Sequence, residues 1–278
     1  MIIFDFNQIA IANLMEQIGS SKIPVDEGLV RHMVLNTIRA NRRKFREYGE
    51  VIIACDNKRY WRRDVFPYYK AHRKKAREDS GHDWTTIFEC LNKVRDELKT
   101  HSPYKVIDVD GAEADDIIGV LTKKFSPTQP VMILSSDKDF MQLHTHTNVS
   151  QYSPTLKKSI RTDDAVRQLK ELIITGDKGD GIPNILSEDN SIVDGIRQKA
   201  ITKPRMAEML NTNIPVDGND ALKRNWSRNS QLIDLSNIPQ TVVQSILDTY
   251  ENTKPRQQFM NYMIANRLKN LLEVIDEF

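Results

Sequence analysis

One short stretch of the chain, residues 111–116, concentrates side chains that could bind a metal ion. Glu113 and Asp116 are three residues apart and would share one face of a helix, and Asp115 stands between them. Carboxylates this close repel one another unless protons or a cation offset their charge, and hard divalent cations prefer such oxygen ligands. An acidic first turn that complements the helix dipole explains the stretch equally well when it is taken alone. A metal site and helix capping are therefore both open at this point.

Other acids favour the metal site, because they recur after apolar segments that are typical of buried strands. These segments cover residues 2–6, 51–55, 104–109 and 131–134, with a fifth near 148–152. Strand and helix patterns alternate, which predicts an α/β fold with a mainly parallel sheet flanked by helices. Parallel strands end at one edge of the sheet, where ligands bind. That edge would collect seven acids: Asp5, Asp56, Glu113, Asp115, Asp116, Asp137 and Asp139.

Apolar spacing divides the rest of the chain into helices and poorly patterned segments. A polar turn is expected after the first strand, then helices around residues 30–38, 87–98 and 117–125. Beyond about residue 159 the patterns are only helical, although residues 184–230 show little pattern and helices return at 242–247 and 260–275. We therefore expect an α/β domain over residues 1–160 and a smaller all-helical domain over residues 161–278. The last helix is expected to pack on the body of the protein, and docking of a partner is the alternative.

A basic segment from Lys58 to Arg77 contains nine lysines or arginines and a single acid. It carries a net charge of +8, which leaves −6 for the rest of a chain whose total is +2. Aromatic residues alternate with these charges, so we expect an exposed, mobile excursion that neutralises phosphates and stacks on bases. A solvated surface helix is the weaker alternative, because such helices usually carry mixed charges. The candidate DNA contacts are Arg62, Arg63, Lys74, Lys75 and Arg77.

A glycine-rich turn over residues 176–183 ends one of the predicted helices. Its exposed backbone N–H groups could hold a phosphate, which makes Gly176, Lys178, Gly179 and Gly181 candidate DNA contacts. Asp177 and Asp180 in the same turn could also reach the acidic edge. An ordinary helix-ending turn with aspartate caps is the alternative.

Composition and missing motifs exclude several classes of protein. No apolar run approaches the ~18 residues of a membrane span, and the N-terminus lacks the pattern of a signal peptide. Cys55 and Cys90 form no CxxC motif, so we expect reduced core thiols in a cytoplasmic protein. The P-loop motif is absent, the GxGxxG motif is absent after the first strand, and Asn7 replaces the second acid that an aspartyl phosphatase would need.

The abundance of carboxylates, with little histidine, favours Mg²⁺ or Mn²⁺ over zinc. Two such ions beside a cationic segment are typical of a metal-dependent nuclease. A non-catalytic nucleic-acid-binding module would leave the acids unexplained.

Six motifs in order resemble the 5′-nuclease (flap endonuclease) family, and above all its ribonuclease H branch in T-even bacteriophages. They are residues 4–10, 56–64, 68–78, 113–116, 135–140 and 176–180. The resemblance implies a twisted sheet of the PIN/5′-nuclease type, a basic helical arch or clamp over residues 57–80, and a helix–three-turn–helix DNA grip. It implies a divalent-metal-dependent 5′-to-3′ nuclease with ribonuclease H activity that acts near the 5′ ends of RNA–DNA hybrids and of flapped or nicked DNA. Primer removal in phage replication, in the cytoplasm of an infected bacterium, would be its task.

The resemblance also implies roles for particular residues. Asp5, Asp56, Glu113, Asp115 and Asp116 correspond to one Mg²⁺ cluster, and Asp137, Asp139, Asp177 and Asp180 correspond to a second. Lys70 and Arg73 correspond to arch residues that contact the scissile phosphate, and their spacing of three would aim both from one helix.

The chain departs from the family pattern in the DNA grip, where Gly181 replaces an asparagine and Arg197 stands at the place of a hairpin glycine. These departures argue against a potassium ion there, and Arg197 and Lys199 are expected to hold duplex phosphates as point charges instead. We expect a monomer, with a single-strand-binding protein or sliding clamp as possible partners. A catalytically silent junction-binding replication factor and a small metal-dependent RNase are the alternatives.

Overall fold

The computed structural model describes residues 1–20 and 25–278. The strands are β1 (Ile2–Asp5), β2 (Val51–Ala54), β3 (Lys105–Ile107), β4 (Val131–Leu134), β5 (Val149–Ser153) and β6 (Lys158–Ile160). In the described part of the chain they form one sheet in the order β3-β2-β1-β4-β5-β6. All neighbours are parallel except β5 and β6, whose antiparallel hairpin the sequence did not predict. The expected mainly parallel α/β fold is confirmed.

The helices lie on both faces of this sheet and in a cluster beyond it. In the first part of the chain they are α1 (Phe6–Ser20), α2 (Glu27–Lys44), α3 (Arg62–Val65), α4 (Arg73–Asp79), α5 (Trp84–His101) and α6 (Ala114–Phe125). In the second they are α7 (Ala165–Thr175), α8 (Lys203–Asn211), α9 (Ile214–Asp217), α10 (Asp220–Ile233), α11 (Gln240–Asn252), α12 (Phe259–Ala265) and α13 (Lys269–Leu272). None of the described helices has the length and apolar character needed to cross a membrane.

Alternate residues of each central strand face different helical layers, as the pleat requires. Ile2 and Phe4 of β1 face a core that includes α1, α2 and α5. Ile3 faces a second core with α6 and α11. Because both faces are covered, the strands read as continuous apolar runs rather than as alternating ones.

Helix α1 replaces the polar turn that was expected after the first strand. It begins at Phe6, and Phe6, Ile9, Ala10 and Leu14 are buried at helical spacing against the first core. This apolar stripe is interrupted by Asn7 and Gln8, which made the segment resemble a turn. The consequence is functional, because α1 starts directly at the end of the strand that carries Asp5.

Helix α10 was not expected in the poorly patterned segment, because its buried face is largely polar. Asn225, Arg228 and Asn229 are buried together with Leu232 and Ile233. The Asn229 Nδ2 atom donates to the carbonyls of Ile173 and Pro183, at 2.8 and 2.9 Å. A search for apolar spacing cannot find a helix whose buried side chains are satisfied by hydrogen bonds.

The C-terminal helices pack on the sheet instead of remaining apart from it. Leu271 and Phe278 are buried in the first core, which confirms that the last segment packs on the body of the protein. The expected single helix over 260–275 is broken between α12 and α13, where Arg267 has a φ of 55°. The division at residues 160 and 161 stays a prediction. Cys55 and Cys90 are buried free thiols, as expected.

Candidate active site

A cleft of about 550 Å³ opens at the carboxyl edge of the parallel strands, beside the neighbouring strands β1 and β4. The connections from these two strands lead to opposite sides of the sheet, and open parallel sheets form their ligand crevices at such a point. Five carboxylates line the cleft: Asp5, Asp56, Asp115, Asp137 and Asp180. The cationic side chains that line it are those of Lys70, Arg73 and Arg77. The structure thus brings together acids from five separate segments, as the strand pattern and the glycine turn suggested.

Hydrogen bonds from neighbouring elements hold two of these acids in place. Asp5 is the last residue of β1, and its Oδ2 accepts a hydrogen bond from the Ser135 hydroxyl at 2.7 Å. Asp56 follows β2, and its Oδ1 accepts from the Ala114 backbone N–H at 2.8 Å. The Asp56 Oδ2 atom accepts from the Asn7 side-chain amide at 2.9 Å. The beginnings of α1 and α6 therefore orient the acids that the strands deliver.

Four acids of the site have no ion pair in the described structure, and we call them the unpaired carboxylates; Asp5 is buried, and Asp115, Asp137 and Asp139 are half-buried. Burial raises the pKa of Asp5 to about 7, and the charges of Asp56 and Asp137 add to this effect. Burial and then the Asp137 charge raise the pKa of Asp115 well above its ordinary value, and the same two causes act on Asp139. Burial also raises the pKa of Asp137. A divalent cation would stabilise all four as anions.

Three other acids have cationic partners supplied by the chain; we call them the paired carboxylates. They are Glu113, Asp116 and Asp180. Arg62, only 3% exposed, donates through Nη1 to Glu113 Oε2 at 2.8 Å, and its Nη2 lies 2.9 Å from Asp116 Oδ1. Its Nε donates to the Leu232 carbonyl at 2.8 Å, which ties α10 to the site. Arg62 therefore joins the carboxylates, the basic segment and the C-terminal helices.

Asp116 is not in the cleft, contrary to the expectation that it binds metal. It is fully buried, and its Oδ2 accepts from the Glu113 backbone N–H at 3.0 Å in a capping box at the start of α6. The Trp61 indole N–H donates to the same oxygen at 3.2 Å. The capping explanation was thus correct for Asp116, while Asp115 next to it faces the cleft.

Lys70 extends from the basic segment into the acids. Its Nζ lies 2.6 Å from Glu113 Oε1 and 3.5 Å from Asp180 Oδ1. The Arg73 guanidinium lies 2.7 Å from the same Asp180 oxygen. Burial alone would raise the pKa of Asp180, but Lys70, Arg73 and the Tyr69 hydroxyl together lower it. The arch residues therefore reach the site, although Lys70 lies before α4 in a left-handed conformation with a φ of 55° and not on a shared helix.

The donor set fits a hard divalent cation, because the donors are carboxylate oxygens and four of them, the unpaired carboxylates, have no ion pair in the described structure. Within residues 1–20 and 25–278, no three of them yet converge tightly enough to hold an ion. Lys70 and Arg73 occupy part of the space between them. The candidate ligands in the cleft are Asp5, Asp56, Asp115, Asp137 and Asp180. Glu113 is connected to this group by Lys70, which donates a hydrogen bond to it. Asp139 and Asp177 lie close to the group, because the charges of Asp137 and Asp180 raise the pKa of both.

The glycine turn differs from the predicted phosphate grip, because its amides are already bonded inside the turn. The N–H groups of Gly176, Gly179 and Gly181 donate to Leu172 O, Asp177 Oδ1 and Lys178 O. A Cβ at Gly176 would lie 2.3 Å from the Ile182 carbonyl oxygen, and one at Gly181 would lie 3.0 Å from the Tyr68 oxygen. Both glycines have positive φ values; Gly176 allows the turn to fold closely on itself, and Gly181 allows it to pack against the basic segment. Lys178 stays exposed and remains a candidate DNA contact.

The basic segment is less exposed than its composition suggested. Phe66 and Tyr69 are buried against Ile173, Ile182 and Leu232 of the helical region, so these aromatics are not free to stack on bases. Arg62 is also buried, and we remove it from the predicted DNA contacts because its donors are used internally. Arg63, Lys74 and Lys75 are exposed and Arg77 is half-buried, so all four have side-chain surface that DNA could contact. Arg197 and Lys199 are exposed as well.

Sequence reasoning missed two side chains that support the carboxylates. The Tyr69 hydroxyl lies 3.0 Å from Glu113 Oε2 and 2.6 Å from Asp180 Oδ2, which connects the two acids. Asn7 fixes Asp56, as described above. Both are adjacent or nearly adjacent in sequence to candidate residues, which was the only signal available.

A cluster of carboxylates at the carboxyl edge of a parallel sheet, with an adjoining basic segment, is the arrangement expected of a 5′-nuclease. The family model "5'-3' exonuclease, N-terminal resolvase-like domain" matches residues 21–171, more than half of the chain. The model "T4 RNase H, C terminal" matches residues 165–278. The chain therefore belongs to the 5′-3′ exonuclease family and is a nuclease.

Particular relatives refine this assignment. The chain is 35% identical to the ribonuclease H of Enterobacteria phage T4, over 99% of this chain and 95% of that protein. It is 31% identical to the flap endonuclease Xni of Shewanella woodyi, over 51% of this chain and 56% of that protein. The D15 flap endonuclease of bacteriophage T5, solved in complex with DNA and metal ions, shares the fold. Its TM-score is 0.64 at 20% identity, over 90% of this chain and 97% of that one.

Proposed function

We propose that this chain is a divalent-metal-dependent 5′-to-3′ nuclease that hydrolyses phosphodiesters near the 5′ ends of RNA–DNA hybrids and of flapped or nicked DNA. Removal of RNA primers during phage DNA replication, in the cytoplasm of the infected bacterium, is the proposed task. One observation carries the proposal: the unpaired carboxylates Asp5, Asp115 and Asp137 face Lys70 and Arg73 in one cleft at the carboxyl edge of the sheet. The names of the T4 and Xni relatives support the substrates.

The residues that would hold two Mg²⁺ ions, with Mn²⁺ as a substitute, are Asp5, Asp56, Glu113, Asp115, Asp137, Asp139, Asp177 and Asp180. Such ions, when bound, lower the pKa of a water nucleophile and offset the charge that grows on the scissile phosphate. The T5 structure with metal ions supports a metal requirement.

The chain's own cations would orient the substrate. Lys70 and Arg73 supply donors that can move from Glu113 and Asp180 to the phosphate once the acids bind metal, so the scissile group enters an environment that already contains its counter-charges. Arg63, Lys74, Lys75 and Arg77 would neutralise the phosphates near the 5′ end, and Lys178, Arg197 and Lys199 those of the duplex.

The test uses one duplex with a 5′-labelled RNA primer and one with a 5′ DNA flap. Wild type and Asp115→Asn are incubated with each in Mg²⁺ and in EDTA. Asp110→Asn is the matched control, because Asp110 is exposed and pairs with Arg59 outside the cleft. We expect short 5′ products from wild type and the control in Mg²⁺ alone, and a loss of at least a hundredfold in rate for Asp115→Asn.

Tight binding of both substrates by wild type without cleavage, in Mg²⁺ and in Mn²⁺, would contradict the proposal. The chain would then be a catalytically silent junction-binding factor. Products that persist in EDTA would contradict the metal requirement instead.

A further inference from the structure

Two aromatic side chains form part of the wall of the catalytic cleft, and the proposed reaction assigns no role to either of them. Trp84 and Phe88 are one turn apart on α5, and both line the cleft together with Asp115 and Lys70. Both rings are half-buried, so part of each faces the cleft. Aromatic surface left in contact with water beside a cluster of charges has a cost that a bound apolar ligand would remove.

The two rings are held in a fixed arrangement. Their centroids are 5.6 Å apart and their planes are inclined by 34°. The Trp84 indole N–H donates to the Ser80 hydroxyl at 2.7 Å, and the ring also packs against the first core. Ile87 on the same helix is buried in the first core, against which Trp84 and Phe88 pack with part of their surface, so α5 is not anchored by these two rings alone.

The surroundings of the two rings combine apolar side chains, which suit a nucleobase, with a guanidinium group, which suits a phosphate. Ile11, Ala12 and Ala76 add apolar surface to the lining of the same cleft. The Arg77 guanidinium lies 5.6 Å from the Phe88 ring centroid, where it can meet a phosphate without leaving the ring. Flat aromatic surfaces combined with a cationic groove are how proteins bind unpaired nucleic acid, because every base has a face that can stack.

We propose that Trp84 and Phe88 form a nucleobase subsite that stacks an unpaired base of the cleaved strand within two nucleotides of the scissile phosphate. The inference rests on the proposed function and adds a contact to bases, which the buried Phe66 and Tyr69 of the basic segment cannot provide. Because stacking tolerates any base, the subsite selects unpaired over paired nucleotides and does not read sequence. It would place the junction relative to the carboxylates.

A double-mutant cycle, which combines substitutions in the protein with an abasic nucleotide in the DNA, tests the subsite. Flapped duplexes carry an abasic nucleotide at the first or the second unpaired position, and affinity is measured by fluorescence anisotropy in EDTA. The proteins are wild type, Trp84→Ala, Phe88→Leu and the conservative Trp84→Phe. Phe88→Leu keeps apolar volume against the core but removes the ring. Tyr250→Ala is the matched control, since Tyr250 is also half-buried but packs on Phe125 and outside the cleft.

We expect the abasic nucleotide to weaken binding to wild type about tenfold at one of the two positions. Trp84→Ala and Phe88→Leu should bind the intact flap about that much more weakly and should not distinguish it from the abasic flap. Trp84→Phe should restore most of the discrimination, and Tyr250→Ala should behave as wild type. Equal sensitivity to the abasic nucleotide in wild type, Trp84→Ala and Phe88→Leu at both positions would overturn the subsite.

A spectroscopic signal separates stacking from a purely structural role. With 2-aminopurine at the sensitive position, wild type should quench or shift its fluorescence on binding and Phe88→Leu should not. Variants that melt as wild type but leave this signal intact would also overturn the proposal. These measurements are made without cleavage, so failure of the subsite is distinct from failure of the nuclease, which the Mg²⁺ assay decides.

Discussion

The paired and the unpaired carboxylates lie within one acidic cluster, yet the chain treats them differently. Glu113, Asp116 and Asp180 receive arginine, lysine or tyrosine donors from the basic segment. Asp5, Asp115, Asp137 and Asp139 receive no such cation in the described structure, and their pKa values are raised by burial. The difference teaches that similar acids in one motif can serve opposite purposes. The chain neutralises the first group with its own cations, whereas the second group keeps negative charge that an external cation could offset.

The largest effect that would test this comparison is expected from Arg62→Ala. The substitution leaves Asp116 buried without its cation, although Glu113 keeps Lys70, and breaking a buried ion pair typically costs about 3–5 kcal/mol. We expect a fall of this size in the free energy of unfolding, measured by urea titration. Arg63→Ala is the control, because its side chain is exposed and should change stability little. A stable Arg62→Ala protein would show that the paired carboxylates do not depend on this residue.

A smaller effect, and one on activity alone, is expected from Asp137→Asn. Loss of an electrostatic contact at the reacting centre costs about 2.7–4 kcal/mol in activation energy, or a hundredfold to a thousandfold in rate. Stability in EDTA should be unchanged or higher, since one of several repelling charges is removed. Asp116→Asn should show the reverse, with lower stability and retained Mn²⁺ affinity. If Asp137→Asn and Asp116→Asn lost Mn²⁺ affinity equally and neither lost stability, the paired and the unpaired carboxylates would not differ in function.

The unpaired carboxylates also predict how stability depends on pH without metal. Because the folded-state pKa of Asp5 is about 7, above the value of 3.8 expected in an unfolded chain, the folded state binds more protons between these limits. Stability in EDTA should therefore fall as pH rises from about 4 to about 7, by about 1.4 kcal/mol per pH unit for one such group. Thermal melting along a pH series measures this slope. Saturating Mg²⁺ should reduce it and raise the melting temperature at pH 7, and a slope that Mg²⁺ does not alter would contradict the assignment.

The smallest effect is expected outside the cluster, from Arg197→Ala combined with Lys199→Ala. Each exposed cation that meets a duplex phosphate contributes about 0.9 to the slope of log affinity against log salt concentration. The double variant should lower the magnitude of the slope by up to about two and leave the rate of cleavage at saturating substrate unchanged. An unaltered affinity and salt slope would remove both residues from the DNA interface.

The sequence by itself determined the mainly parallel sheet and the acids at its carboxyl edge, and it connected Lys70 and Arg73 with these acids only through the resemblance to 5′-nucleases. The positions of the strands along the chain follow from local apolar runs, and parallel strands place the residues that follow them at one edge whatever the rest of the chain does. The resemblance to 5′-nucleases added the division of roles among the acids. The start of α1 and the whole of α10 were missed, because polar residues interrupt the apolar stripe of one and cover the buried face of the other.

Only the tertiary structure decided which acids face the cleft. Asp115 and Asp116 are adjacent in sequence, yet one lines the cleft and the other is buried against Arg62. The same holds for Arg62 and Arg63, of which one is buried and the other exposed. A helix turns successive side chains by about 100°, so neighbours of one chemical type meet different partners. Composition gives the charge of a segment, but packing of α10 and the basic segment against the start of α6 decides where each charge is used.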